Sequence, residues 1–148
     1  MSQRININEM KATKILLGAL MVLTVLAACD VIEKDGDWDP MVWTIDNSDE
    51  KTDIIHEIPA EGGTISFTCK NYSAPWIVIA ADEEKQYSPP REDNNYHTIV
   101  TDWFKVEMVG SKLHVTFEAN TTEKERPLRL LVTAGDIFYT FGFKQNAK

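Results

Sequence analysis

The fold is decided by the stretch Leu128-Arg129-Leu130-Leu131-Val132-Thr133-Ala134-Gly135-Asp136-Ile137-Phe138-Tyr139-Thr140-Phe141-Gly142-Phe143. Its first half alternates Leu128, Leu130 and Val132 with Arg129, Leu131 and Thr133, which is the two-residue period of a strand with one buried face. Ala134-Gly135-Asp136 is a tight-turn signal. The second half then places Ile137, Tyr139, Phe141 and Phe143 on one side. The stretch therefore predicts a β-hairpin with one face against the core.

The same pattern, short runs of alternating apolar and polar residues separated by turn residues, extends upstream to Met41. In Thr64-Ile65-Ser66-Phe67-Thr68-Cys69 the apolar set is expected inward and the hydroxyl set outward. Further strands are expected at 41–45, 54–58, 76–80, 98–100, 103–108 and 113–118. No segment has a sustained helical period. Residues 41–148 are thus predicted to form one all-β sandwich.

Residues 81–97 interrupt this alternating pattern. They hold several acids, the pair Pro89-Pro90, and the aromatic residues Tyr87 and Tyr96. Long structureless loops are uncommon inside compact domains and tend to be functional or disordered. The segment is therefore the best candidate for a binding site, the alternative being that its tyrosines stack on the edge of the sandwich.

Catalytic and metal-binding patterns are not readable in the chain. Cys69 shares the apolar side of its strand, which indicates a small buried hydrophobe rather than a nucleophile. His56, His97 and His114 are far apart and lack the spacing of metal ligands. No nucleophile elbow or phosphate-binding glycine loop is present. The sequence predicts a protein that is not an enzyme and needs no cofactor or metal.

The first 28 residues have the organisation of an export signal. A basic segment, 1–14, runs into the apolar segment Ile15 to Ala28, which is shorter than the roughly 20 residues that a membrane span needs. The segment ends in Leu26-Ala27-Ala28-Cys29, which resembles a bacterial lipobox. That resemblance implies cleavage before Cys29, lipidation of Cys29, and a membrane-anchored mature chain.

The residues that follow, 29–40, are acidic, contain Gly36 and Pro40, and are predicted to be a solvated tether. Within them, Glu33-Lys34-Asp35 resembles the surface-export signals of lipoproteins from the Bacteroidetes. This favours an outer-membrane location facing the cell exterior.

The negative net charge of the chain bears on which macromolecules can bind it. The chain has a formal charge of −8, and removal of residues 1–28, with their three basic side chains and one acid, leaves −10. Such a surface repels phosphate backbones. Nucleic acid is excluded as an expected partner.

Several segments in the predicted sandwich together resemble a known family. They are 58–67, Ala74-Pro75-Trp76, Trp103, 118–126, 132–136 and Gln145. Their order and spacing resemble the Bacteroidetes-associated carbohydrate-binding often N-terminal (BACON) domain, over roughly residues 54–145. The resemblance implies an immunoglobulin-like sandwich, of about seven to eight strands here, on a surface lipoprotein. It also implies that Trp76 and Trp103 are core or core-edge residues.

The family's proposed role is to bind polysaccharide or mucin glycan, which requires aromatic faces and hydrogen-bonding side chains. The candidate glycan-binding residues lie in the interrupting segment: Tyr87, Arg91, Asp93, Asn94, Asn95 and Tyr96. The alternative function is that of a structural spacer or protein-interaction lipoprotein, which would contact another envelope protein through a sheet edge or this loop.

Overall fold

Ten strands in the described residues form two mainly antiparallel sheets that pack face to face. The structure, a computed structural model, describes residues 38–90 and 95–148. In chain order the strands are β1 (Trp43–Ile45), β2 (Ile55–Ile58), β3 (Gly63–Cys69), β4 (Trp76–Ala81), β5 (Gln86–Tyr87), β6 (Thr98–Val100), β7 (Phe104–Val109), β8 (Lys112–Phe117), β9 (Arg126–Thr133) and β10 (Phe138–Gln145).

The first sheet has the order β1-β3-β8-β7-β6, and the second sheet has the order β2-β10-β9-β4-β5. All neighbours are antiparallel except β2, which runs parallel to β10. The four edge strands are short, two to four residues each. Short edges limit unwanted pairing with other chains.

The expectation of an all-β sandwich, immunoglobulin-like in character, is confirmed. The part of the chain that the structure describes has ten strands rather than the expected seven to eight, because short edge strands, including the two-residue β5, complete both sheets. β5 lies inside the segment 81–97, which is therefore partly regular structure. Cys69 is buried, as its place in the alternation predicted.

Thr133 differs from its prediction. The alternation of β9 puts it on the outer side, yet it is only 3% exposed. Its hydroxyl lies 2.7 Å from the carbonyl oxygens of both Gly135 and Ile137, so the hairpin turn folds against it. The hydroxyl is buried because the turn supplies its hydrogen-bond partners.

Aromatic side chains from both sheets fill the interior. Phe67 of the first sheet meets Phe141 of the second with ring centroids 4.6 Å apart, and both are fully buried. Phe117 and Phe143 make a similar cross-sheet pair at 5.5 Å. Each fully buried large apolar side chain contributes about 1.5–3 kcal/mol relative to exposure. The core therefore holds the sandwich together without a disulfide in the described part of the chain.

One crossing between the sheets depends on glycine. Gly62 lies between β2 and β3 with φ = 81°, a left-handed value that other residues rarely adopt. A Cβ there would collide with the carbonyl oxygen of Phe117. This close approach lets the chain pass from the second sheet to the first.

The end of the predicted tether is fastened to the sandwich. Asn71 donates to the carbonyl of Pro40 at 2.9 Å, and the Tyr72 hydroxyl donates to the carbonyl of Asp39 at 2.6 Å. Residues 38–148 accordingly form one compact unit. The predicted signal segment 1–28, Cys29 and most of the tether lie outside the described residues. Within residues 38–90 and 95–148, the structure contains no helix long and apolar enough to cross a membrane.

Candidate functional site

The structure separates the two tyrosines that the sequence grouped into one site. Tyr87 belongs to β5, whereas Tyr96 lies just before β6. Asn95 is half-buried, and its side-chain oxygen accepts the backbone N–H of His97 at 3.1 Å. Arg91, Asp93 and Asn94 lie outside the described residues.

Tyr87 faces the interior of the sandwich. It pairs with the buried Ala80 of β4, and directly opposite residues on neighbouring strands share a face. Its ring meets the fully buried Phe104 edge to face, with centroids 5.1 Å apart. Tyr87 therefore closes the gap between the sheets at this edge, and its ring is not a free platform for a ligand.

The Tyr87 hydroxyl already has a partner within the protein, since it donates to Asp82 Oδ2 at 2.6 Å. Burial, followed by this hydrogen bond to a carboxylate, raises the pKa of Tyr87 to about 12. Asp82 Oδ1 accepts the backbone N–H groups of Glu84 and Lys85, both at 2.8 Å. Burial works to raise the pKa of Asp82, but its hydrogen bonds outweigh that effect and lower it. Asp82 thus stabilises the β4–β5 turn and also holds the Tyr87 hydroxyl in place.

Tyr96 has a different environment. It is 41% exposed and lines a cavity of about 350 Å³ at the edge of the second sheet. The other lining residues are Trp76, Ile77, Val78, Ser88 and Pro89. The backbone N–H of Ile77 donates to the carbonyl of Tyr96 at 2.9 Å, which ties the Tyr96 backbone to β4.

Trp76 forms the second aromatic wall of this cavity. Its neighbour Ile77 is fully buried opposite Val132, so Trp76 is placed on the outer face of the sheet. The alternation is disturbed at Val78 by a bulge between Ile77 and Ile79. Bulges commonly re-aim side chains near functional sites.

The cavity combines two aromatic side chains with the hydroxyls of Tyr96 and Ser88. Aromatic rings offer flat apolar area, and hydroxyls donate or accept hydrogen bonds. This combination suits a ligand that has both an apolar face and many hydroxyl groups. The family resemblance placed Trp76 at the core or core edge, and sequence reasoning did not single it out as a lining residue. The run Trp76-Ile77-Val78-Ile79-Ala80 is apolar throughout, so its period does not reveal which side chains face outward.

A second, more polar cleft of about 280 Å³ surrounds Trp103. It is lined by Asp82, Glu83, Glu84, Trp103, Thr122, Lys124, Glu125, Arg126 and Pro127. The guanidinium carbon of Arg126 lies 5.6 Å from the centroid of the Trp103 ring. Because a side chain of the protein already covers this ring, Trp103 offers less free aromatic surface than its exposure suggests.

The histidines form no catalytic or metal centre in the described part of the chain. His114 accepts or donates at Nδ1 with Ser66 Oγ at 2.7 Å, but this pair lies on the flat outer face of the first sheet. His56 is buried against Phe67 and Phe143, and burial lowers its pKa. No group of three His, Cys, Asp or Glu residues within 38–90 and 95–148 is placed to hold a metal ion.

Comparison with known proteins gives a structural relative. No protein-family model matches the chain, and no curated protein matches it. Among solved structures, an NMR structure of a protein from Bacteroides thetaiotaomicron is similar, with 30% sequence identity and a TM-score of 0.63. The alignment covers 81% of this chain and 98% of the Bacteroides chain. This chain therefore belongs to the same family as that Bacteroides protein.

Proposed function

We propose that this protein is a non-catalytic surface module of the BACON type that binds glycan, either polysaccharide or mucin. It is anchored in the outer membrane by lipid on Cys29 and faces the cell exterior. The observation that carries the glycan proposal is the cavity lined by Trp76, Tyr96 and Ser88. The sugar ring packs its C–H face on the aromatic walls, and its hydroxyls reach Ser88 and Tyr96.

Two features favour this cavity over the cleft at Trp103. The Trp103 ring already carries the Arg126 guanidinium, so a sugar would have to displace a cation–π contact worth about 0.5–1 kcal/mol at an exposed site. The Trp103 cleft also has four carboxylates against two cations in its lining. Among the residues that the structure describes, those lining the cavity at Tyr96 carry no ionised side chain, which suits a neutral sugar.

The anchor rests on the residues Leu26-Ala27-Ala28-Cys29, which follow an apolar segment and a basic N-terminal segment. The acidic stretch Glu33-Lys34-Asp35 after the cysteine supports export to the outer face of the membrane. A lipid anchor on that face brings the protein to extracellular glycan.

The test of glycan binding is retention of the full chain on immobilised xylan, β-glucan, mannan, pullulan and mucin. At least one of these is expected to retain the protein. Trp76→Ala and Tyr96→Ala should weaken that retention about tenfold or more, because a lost aromatic contact of about 1.4 kcal/mol corresponds to a factor of ten.

Val100→Ala is the matched control. Val100 is 69% exposed and pairs with Lys105 at the end of β6 farther from Tyr96, so this change also removes exposed apolar surface without touching a lining residue. Melting curves verify that each variant is folded. The proposal is wrong if a folded wild-type chain is retained by none of the glycans, or if the Trp76 and Tyr96 variants bind as well as the control.

The anchor has an independent test. Cells expressing the full chain are labelled with a radioactive fatty acid, and the envelope is fractionated. The wild type is expected to carry label and to sediment with the outer membrane, whereas Cys29→Ser should carry none and lose the membrane association. An unlabelled wild type would contradict the anchor while leaving the glycan proposal intact.

A further inference from the structure

Tyr96, one aromatic wall of the cavity, lies in a short segment that is bonded to both sheets. Its carbonyl oxygen accepts the backbone N–H of Ile77 on β4 at 2.9 Å. The carbonyl oxygen of the next residue, His97, accepts the backbone N–H of Met108 on β7 at 2.7 Å. Ile77 and Met108 are buried strand residues in different sheets. The backbone that carries the Tyr96 ring is therefore held from both sides.

The bond to β4 also relates Tyr96 to Trp76, the other aromatic wall. Ile77 directly follows Trp76 in the strand, and its side chain is fully buried opposite Val132 of β9. A residue packed in this way cannot shift without disturbing its neighbours in the core. The hydrogen bond from the Ile77 N–H thus fixes the backbone of Tyr96 relative to the strand that carries Trp76.

A third hydrogen bond closes a turn around Tyr96, and its acceptor is a side chain. Asn95 Oδ1 accepts the backbone N–H of His97 at 3.1 Å, so the Asn95 side chain and the Tyr96 backbone together form a ring. Asparagine makes this kind of turn with the backbone two residues further on, in place of a bond between backbone groups. The turn restricts the backbone dihedral angles of Tyr96, and these angles limit the directions that its side chain can take.

Asn95 itself does not line the cavity, although it directly precedes Tyr96. The described residues that line the cavity are Trp76, Ile77, Val78, Ser88, Pro89 and Tyr96. Asn95 is half-buried, and its side-chain oxygen already accepts the His97 N–H. The Tyr96 ring is 41% exposed, so packing constrains it only in part. An aromatic residue of this kind binds a ligand more tightly when its backbone is fixed beforehand, because less conformational freedom is lost on binding.

From this arrangement we infer that Asn95 is a positioning residue of the glycan site. Its turn with His97 holds Tyr96 in the orientation in which the ring meets the sugar. The sequence grouped Asn95 with the residues expected to contact the ligand, whereas here it acts through its neighbour. The inference rests on the proposed function and deepens it, because it names a residue that raises affinity without touching the sugar.

Two substitutions separate this role from a direct contact. Asn95→Asp keeps an oxygen acceptor in place and loses the amide donor, whereas Asn95→Gln keeps the amide and moves its oxygen one bond farther from the backbone. Both are compared with Asn95→Ala by retention of the full chain on immobilised xylan, β-glucan, mannan, pullulan and mucin. Asn95→Asp should be retained like the wild type. Asn95→Gln and Asn95→Ala should be retained about three- to tenfold more weakly, because the ligand must then order the Tyr96 backbone.

Ser48→Ala is the matched control for the loss of a turn. Ser48 Oγ accepts the backbone N–H of Glu50 at 3.1 Å, so this change removes the same kind of bond without touching a lining residue. It should leave retention unchanged. A double variant tests whether Asn95 acts through Tyr96: in a chain that already carries Tyr96→Ala, adding Asn95→Ala should weaken retention no further. Melting curves verify that each variant is folded, and Asn95→Gln decides the question if Asn95→Ala does not fold.

Four other outcomes overturn the inference. If folded Asn95→Gln and Asn95→Ala are retained like the wild type, the turn does not position Tyr96, and glycan binding in the cavity stands. If Asn95→Asp is weakened while Asn95→Gln is retained, the amide contacts the glycan directly. If Asn95→Ala weakens the Tyr96→Ala chain as much as it weakens the wild type, Asn95 acts independently of Tyr96. If no glycan retains the folded wild type, the proposed function fails and this inference fails with it.

Discussion

The outer faces of the two sheets differ in chemistry although both rest on the same core. On the first sheet, hydroxyl side chains of β3 pair with polar side chains of β8: Thr64 with Thr116 at 2.9 Å and Ser66 with His114 at 2.7 Å. Val100 and Val109 are exceptions on this face. On the second sheet, the outer positions include Ile55, Trp76, Ile79, Leu131 and Phe138.

The difference shows that burial in the core accounts only for the side chains on the inner face of each strand. Both inner faces are apolar because folding requires it. The first sheet's outer face satisfies its polar side chains among themselves and with water, whereas the second sheet leaves aromatic and aliphatic surface exposed, 56% for Phe138 and 66% for Ile55. Exposed apolar patches on soluble domains commonly mark interaction surfaces. The second sheet is therefore the place to look for a ligand.

The largest effect is expected in the core that the two faces share. Phe141→Ala removes a fully buried ring that contacts Phe67 and Trp43. It should lower the free energy of unfolding by about 3–5 kcal/mol, since a cavity replaces the ring. Urea unfolding followed by circular dichroism measures this. A loss below about 1 kcal/mol would show that Phe141 is not packed between the two sheets.

A smaller effect distinguishes an interior tyrosine from one on the surface. Tyr87→Ala should lower the free energy of unfolding by about 2 kcal/mol, because it removes a half-buried ring and its hydrogen bond to Asp82. Tyr96→Ala should change stability by no more than about 0.5 kcal/mol and instead reduce glycan retention. The same urea titrations, with retention assays beside them, provide the comparison. Equal stability losses in the two variants would contradict the separation of their roles.

The dependence of stability on pH tests the environments of His56, Asp46 and Asp82 without a mutation. Burial lowers the pKa of His56 in the folded state, so below about pH 6.5 the unfolded state binds the proton first and stability falls as pH falls. The slope for one proton is at most about 1.4 kcal/mol per pH unit. Asp46 and Asp82, whose pKa values are lowered in the fold, lose their contributions at lower pH, below about 4.

His56→Phe separates these contributions. It should flatten the stability profile between about pH 6.5 and 4.5, since the group that takes up the proton is gone. Urea midpoints measured across this range provide the data. A variant that keeps the wild-type slope would assign the pH dependence to other groups.

The smallest effect is expected on the polar face of the first sheet. His114→Ala removes one cross-strand hydrogen bond to Ser66, which is worth about 0.5–1.5 kcal/mol. Glycan retention should not change, because the pair lies on the opposite side of the sandwich from Trp76. A loss of retention in the folded variant would show that the glycan binds the outer face of the first sheet and not that of the second.

Much of the fold was predictable from local patterns. The alternation in Thr64 to Cys69 and in Leu128 to Val132 gave the inward residues, and Gly135 marked the hairpin turn. These predictions succeeded because a strand with one buried face repeats every two residues. Thr133 was placed wrongly since its burial depends on a turn that folds back onto it.

The candidate site was less predictable. The sequence drew attention to residues 81–97 and to Tyr96, which does line a cavity. It also grouped Tyr87 with Tyr96, although the pairing of Tyr87 with Ala80 turns Tyr87 inward. A two-residue edge strand carries too little pattern to be recognised, and strand pairing determines which way its side chains face.

The sequence by itself determined the sandwich and its apolar rows, because both depend on side chains close together along the chain. Only the tertiary structure decided that Trp76 and Tyr96 line one cavity, since they lie far apart along the chain and the hydrogen bond between Ile77 and Tyr96 brings their segments together. A site assembled from separate segments is a property of pairing, which no local stretch specifies.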